Sequence, residues 1–299
     1  MFEEFKNAFS RYNNAHVQLI IINVIVFLAM AVITVVSTIS QFPEIGEWLH
    51  LQVAIPAPFE AFIYKPWTII TYAFVHDLSD IFHILFNMLF LYWFGKLFVE
   101  YLGSDKLISV YVLGALAGGL AYLLVYNFIP FFMERVPLLG MIGASAAVYA
   151  IVVATATLLP DYTFFLLFLG PVRIKYIAAF YIVISILGTV QSNAGGNVAH
   201  LGGALIGFIY IKQLQAGNNW GRWVIVLIDW VKGLFKPRPK VKVTYRNEDT
   251  ASKKAAAKQK GPSISQAEID AILDKISDGG YESLTKEEKD KLFNASKKQ

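Results

Sequence analysis

The chain has 299 residues, 56% of them hydrophobic and 16% charged, with a mean hydropathy of +0.51 and a formal net charge of +4. Soluble domains carry about 25% charged residues. Here the apolar residues also fall in long runs, so the composition describes a multi-pass membrane protein. Cysteine is absent, which excludes disulfides, thiol catalysis and Cys-based metal centres.

Residues 1–16 are polar and mixed in charge and read as a short terminal segment. The run from Val17 to about Ile39 is the first predicted span, long enough to cross about 30 Å of hydrocarbon. Ala29-Met30-Ala31 has the small-residue pattern of a cleavage site, but apolar residues continue beyond it, so the run reads as a retained anchor. Residues 40–66 form a long connection with Glu44, Glu47 and Glu60 against the single Lys65, and with Trp48, Phe59, Phe62 and Tyr64 before Trp67. That is the signature of an interfacial loop with an aromatic belt, on the non-cytoplasmic side.

The second span covers about Ile81–Val99 and holds His83 and Asn87, four residues apart and therefore on one helix face. The third covers about Leu107–Tyr126. Its Gly114-x-x-x-Gly118-Gly119 stripe lets another helix approach closely. A loop with Pro130, Glu134, Arg135 and Pro137 leads to the fourth span, about Gly143–Leu159, in which Ser145 is the first polar residue. Tyr162–Leu169 is too short to span and is expected to lie in the cytoplasmic interface. The fifth span is about Ile174–Val190. A brief loop, Gln191–Asn197, precedes the sixth, about Val198–Leu214, which opens with Ala199-His200-Leu201-Gly202-Gly203.

Residues 231–260 hold ten Lys/Arg against two acids. Next to a membrane span, such a block is a topology signal and a contact for anionic lipid headgroups, not a nucleic-acid site. With six spans both termini lie on one side, and the positive-inside rule makes that side the cytoplasm. Residues 220–236 are amphipathic, with Arg222, Asp229, Lys232 and Lys236 on one arc, and predict an interfacial helix. Residues 263–298 carry two capping boxes, Ser265-x-x-Glu268 and Thr285-x-x-Glu288, and a Gly279-Gly280 break. They predict a helical hairpin whose small core suits a protein partner. The expected architecture is all-α. Residues 17–214 form a membrane bundle of six transmembrane helices, 215–262 an amphipathic helix and basic linker, and 263–299 a small cytoplasmic hairpin.

The second, fourth and sixth spans enter from the same face. His83/Asn87, Ser145 and His200 each lie near the start of one of them, so topology alone sets these residues at a similar depth. Ionisable residues inside a membrane are costly and mark wet functional cavities. A Ser becomes a nucleophile when a neutral His within hydrogen-bond reach takes its proton. The Ser145 backbone N–H and the side chains of Asn87 and His83 could stabilise the resulting oxyanion. No carboxylate lies in the outer half of these spans, which favours a dyad over a triad. Tyr149, four residues after Ser145, shares its face and could stack on His200. Taken singly, each polar residue also fits helix packing, and His76, His83 and His200 together could be read as a metal site. No H-E-x-x-H pattern supports that reading.

The chain resembles the rhomboid family of intramembrane serine proteases, of bacterial type with a C-terminal extension. The matching pieces are His83-Ile84-Leu85-Phe86-Asn87-Met88, Gly95-Lys96-Leu97-Phe98-Val99-Glu100-Tyr101-Leu102-Gly103, Gly143-Ala144-Ser145 and Ala199-His200-Leu201-Gly202-Gly203. The resemblance implies Ser145 as nucleophile and His200 as general base. It implies His83 and Asn87 as oxyanion donors, Tyr149 and Gly143 as supporting residues, and no cofactor or metal. It also implies a bacterial cell membrane, single-span or multi-span membrane-protein substrates, and lateral substrate entry helped by the fifth span. Two departures stand out: Ala146 replaces the usual Gly after the nucleophile, and Trp67-Thr68 replaces the usual Trp-Arg. The competing expectations are a catalytically weak or inactive relative that captures client transmembrane helices, and a transporter. The latter would show repeats with broken helices near the midplane, and no convincing repeat is present.

Overall fold

The computed structural model describes residues 13–166, 170–235 and 265–296. The polar N-terminal segment up to residue 12, residues 167–169 and the basic linker 237–262 lie outside the described residues. The chain divides into two compact units, residues 1–236 and 237–299.

In the first unit, helix α1 (Ala15–Ile39) has 25 residues, an 18-residue stretch of it has a mean hydropathy of 3.1, and its outward residues Leu28, Val32 and Val36 are exposed as a lipid-facing surface requires. Its buried Asn23 donates to Tyr111 Oη at 3.1 Å. The stretch that follows is structured where a loop was expected. Helices α2 (Pro43–Val53), α3 (Phe59–Ile63) and α4 (Thr68–Thr71) lead into a 3₁₀ turn at Tyr72–Phe74. Trp67 Nε1 donates to Gln52 O at 2.8 Å and Thr71 Oγ1 to Val53 O at 2.9 Å, which folds this stretch back on itself. Pro43 starts α2 because its missing N–H is one a first-turn residue does not use.

Helices α5 (Ile81–Leu102), α6 (Ser104–Phe128) and α10 (Ala194–Gln215) are long and apolar enough to cross a membrane, as is α1. A short turn of helix, α7 (Pro130–Met133), follows α6. The remaining two apolar helices are α8 (Ser145–Leu158) and α9 (Ile174–Gly188), with 14 and 15 residues. Helix α8 therefore rises only about 21 Å, and it is preceded by non-helical backbone. Such backbone is tolerated at membrane depth only where protein surrounds it. Ala144 is fully buried, Met141 forms a two-way bridge with Ile55, and the Gly143 N–H donates to Tyr72 O at 2.9 Å. The predicted fourth span, about Gly143–Leu159, is thus helix α8 to within two residues, and the extended backbone leading into it is held by the structured stretch 40–80.

Helix α8 is the core of the bundle, buried along nearly its whole length from Ala146 to Ala156. Its small residues explain this. A Cβ on Gly203 or Gly207 of α10 would collide with the carbonyl oxygens of Ala146 and Ala150, and one on Gly114 of α6 would meet Ala147 and Ala150. Glycine at these positions lets α6 and α10 clasp α8 backbone to backbone.

The segment expected to lie in the interface is a β-hairpin. β1 (Thr163–Leu166) pairs antiparallel with β2 (Gly170–Arg173), with Phe164 opposite Val172. Thr and Phe residues favour extended backbone, and Gly170 takes the positive φ of +68°. Asp161 ties the hairpin base to the start of α9, bonding Lys175 Nζ at 2.7 Å and Arg173 at 3.2 Å. Helix α11 (Arg222–Phe235) is the predicted amphipathic helix. Val224 is buried, and the Gly221 carbonyl just before the helix accepts from Ser109 Oγ at 3.0 Å on α6. Trp223, Val226, Leu227, Trp230 and Leu234 stay exposed.

The second unit holds α12 (Gln266–Gly279), a 3₁₀ turn (Tyr281–Ser283) and α13 (Lys286–Ser296). Both capping boxes form: Ser265 with Glu268, and Thr285 with Glu288. Lys275 bridges to Glu288 at 2.9 Å across the hairpin.

Candidate functional site

The site forms at the end of the bundle where α5, α8 and α10 begin. Asp80 caps α5 by accepting from the N–H groups of Phe82 and His83 at 3.0 and 3.3 Å. That start places His83 in the first turn and Asn87 one turn further in. Gly143 has φ +133°, a conformation that favours glycine, and a Cβ there would lie 3.1 Å from the His83 ring. The turn it makes delivers Ser145 as the first residue of α8. No side chain caps this helix, so its leading N–H groups, that of Ser145 included, have no intrahelical partner.

His200 Nε2 lies 2.7 Å from Ser145 Oγ. Helix α10 begins at Ala194, four residues earlier than expected, so His200 is well inside the helix and does not cap it. The Tyr149 ring stacks on the His200 ring, with centroids 4.2 Å apart and planes 13° from parallel. Asn87 is buried and spends one amide N–H on the His83 carbonyl at 2.8 Å, leaving the second available. The structure thus brings together five of the six site residues expected from the sequence, and Gly143 makes the turn between them. One residue was not expected. Ser185 of α9 is fully buried, with its Oγ 3.3 Å from His200 Nδ1 and 3.0 Å from Tyr149 Oη. Its signal in the sequence was slight: the one serine within the largely apolar run Ile174–Gly188.

Two cavities meet at His83 and Asp80. One, of about 270 Å³, is mostly apolar and is lined by Phe86, Asn87, Phe90, Tyr149 and Tyr181 as well. The other, of about 430 Å³, is polar, and is lined by Asp77, Tyr126, Gly140, Ser192 and Asn193 among others. The first suits an apolar side chain and the second suits water. His83 lines both, and its ring lies beside Gly143, two residues before Ser145.

Ala146 is 1% exposed, and its methyl occupies the space that a Cβ on Gly118 of α6 would need. It fills a helix–helix notch. His76 is also buried, stacks edge-on to His83 at 5.3 Å, and has no hydrogen-bond partner for either ring nitrogen among the described residues. Among the described residues no three His, Asp or Glu side chains are grouped to hold a metal ion.

Comparison with known proteins gives this geometry a context. Residues 64–215 match the Rhomboid domain, and residues 262–298 match a family of unknown function, DUF6576. RHOMBOID-like protein 12, mitochondrial, of Arabidopsis thaliana is 33% identical over 160 residues, covering 50% of this chain and 47% of that protein. Rhomboid protein 1, mitochondrial, of Saccharomyces cerevisiae is 30% identical over 175 residues, covering 51% and 46%. The chain thus aligns with about half the length of each of these relatives. The domain match takes in α5, α8 and α10 together with His83, Asn87, Ser145 and His200, and on that ground this multi-pass membrane protein belongs to the rhomboid family.

Proposed function

We propose that the protein is an intramembrane serine endopeptidase that hydrolyses peptide bonds in or next to transmembrane segments. The observation that carries this reading is the 2.7 Å contact between His200 Nε2 and Ser145 Oγ, a distance at which a neutral imidazole takes the hydroxyl proton. Ser145 Oγ attacks the substrate carbonyl carbon as its proton moves to Nε2. The oxyanion is received by the Ser145 N–H and the side chains of His83 and Asn87. When the C–N bond breaks, the Nε2 proton goes to the leaving amine and an acyl-enzyme remains. Water entering through the polar cavity gives one proton to Nε2 as its oxygen bonds the acyl carbon; the bond from that carbon to Ser145 Oγ then breaks, and Nε2 passes the proton to Oγ, which frees Ser145 and the acid product.

The substrates we infer are single-span or multi-span membrane proteins, with an apolar side chain near the cut seated in the 270 Å³ cavity. The orientation follows the basic segment after α11: both termini face the cytoplasm of a bacterial cell, the site opens on the opposite face, and the basic segment meets anionic lipid headgroups. The hairpin would engage a cytoplasmic protein.

The test is reaction with a fluorophosphonate probe and cleavage of a reconstituted single-span substrate. We expect the wild type to do both. Ser145→Ala and His200→Ala should lose cleavage by about 10³-fold or more while remaining folded. A folded wild type that neither reacts nor cleaves would instead make the protein a binder of client helices.

A further inference from the structure

We propose that Ser185 is the positioning residue of the dyad, holding His200 in the tautomer with its proton on Nδ1 so that Nε2 is free to accept from Ser145. This rests on the protease reading for its purpose, but the tautomer itself follows from the hydrogen-bond chain.

The chain runs from His200 Nδ1 to Ser185 Oγ at 3.3 Å, from there to Tyr149 Oη at 3.0 Å, and on to the Tyr181 carbonyl at 3.5 Å. A carbonyl only accepts, so the directions are set from that end. Tyr149 donates its one proton to Tyr181 O, and Ser185 donates its one proton to Tyr149. Only lone pairs of Ser185 then face His200, so Nδ1 must carry the proton and Nε2 must be the acceptor. The tautomer of a histidine is set by the bond its other nitrogen makes, and here a buried hydroxyl does what a carboxylate does in a triad. When Nε2 takes the Ser145 proton, the imidazolium keeps its Nδ1–H on Ser185. No proton passes to Ser185, and Nε2 returns its proton to the leaving amine.

The arrangement also divides labour among helices. Ser145 and Tyr149 lie on α8, His200 on α10, and Ser185 and Tyr181 on α9. The base is therefore aligned only while α9 stays in register with α10. Tyr149 fixes the plane of the His200 ring by stacking, and Ser185 fixes which nitrogen carries the proton.

The test uses the full chain in lipid with ¹⁵N-labelled histidine, the His200 signals being identified by their loss in His200→Gln. We expect Nδ1–H in the wild type and a mixture with Nε2–H in Ser185→Ala. Ser185→Ala should lower kcat about tenfold with little change in KM, the size expected for losing an aligned base. Ser185→Thr, which keeps the hydroxyl, should restore both tautomer and rate. Tyr149→Phe should be non-additive with Ser185→Ala, since both cut one chain. A wild-type His200 protonated on Nε2, or a Ser185→Ala enzyme with wild-type kcat, would overturn the inference. A wild type without turnover, in which Ser185→Ala still shifts the His200 tautomer, would remove the protease reading and leave the positioning role standing.

Discussion

Ser145, His200 and Gly143 show how few atoms decide this site. Gly143→Ala should lower turnover about 10²-fold, the cost of losing one oxyanion donor, because a Cβ at φ +133° sits 3.1 Å from the His83 ring and must displace it. Substrate cleavage by protein with an unchanged melting temperature is the measurement. Ala146 acts differently. Its methyl packs at Gly118, away from the reacting atoms, so Ala146→Gly should cost about 1 kcal/mol of stability and leave kcat within a few-fold. The identity of Ser145, His83, Asn87 and His200 was legible in the sequence, because intramembrane polar residues are rare enough to stand out. Ser185 was not, because a serine in an apolar helix looks the same whether it bonds its own backbone or the His200 ring.

Among the helices, the decisive packing is α6 and α10 on α8. Gly203→Val would drive a side chain into the Ala146 carbonyl. We expect a loss of about 3 kcal/mol or outright failure to fold, seen as a lowered unfolding temperature in detergent. In the hairpin, Glu288 accepts from the Thr285 N–H and from Lys275, which pushes its carboxyl down to about 2 from the ordinary 4.5. A depressed carboxylate contributes stability above its unfolded pKa and loses it as pH falls toward the folded one. Amide protection factors across residues 265–296 in the full chain, taken against the intrinsic exchange rate at each pH, should therefore be high at pH 6 and fall between about pH 4.5 and 2; in Glu288→Gln that fall should shrink. The apolar helices α1, α5, α6, α8, α9 and α10, both capping boxes and the amphipathic α11 follow from periodicity and end residues, whereas the short helices α2–α4 and α7 fall where loops were expected. The β-hairpin did not, since a short apolar run such as Thr163–Leu166 carries no period that separates strand from interfacial coil.

The division into units at residue 236 bears on truncation. Helix α11 belongs to the membrane unit, joined to α6 at Ser109 and Gly221 and by buried Val224. Ending the chain after residue 236 should leave probe reactivity and thermal stability unchanged. Ending it at residue 215 should lower the melting temperature by several degrees, since it strips contacts worth about 1–2 kcal/mol. Equal stability of the two truncations would show that α11 lends the bundle nothing.

Composition and period were enough to specify a helical membrane protein, and that His83, Ser145 and His200 fall in the first two turns of three of its apolar helices, because hydrocarbon enforces helical backbone and penalises stray polar groups. They could not specify what joins those residues. The 2.7 Å Ser145–His200 contact, the Ser185–Tyr149–Tyr181 chain and the Ile55–Met141 bridge all link residues distant in sequence or on separate helices. Their geometry depends on how closely small residues let the helices approach, a property of packed pairs that no single stretch of chain carries.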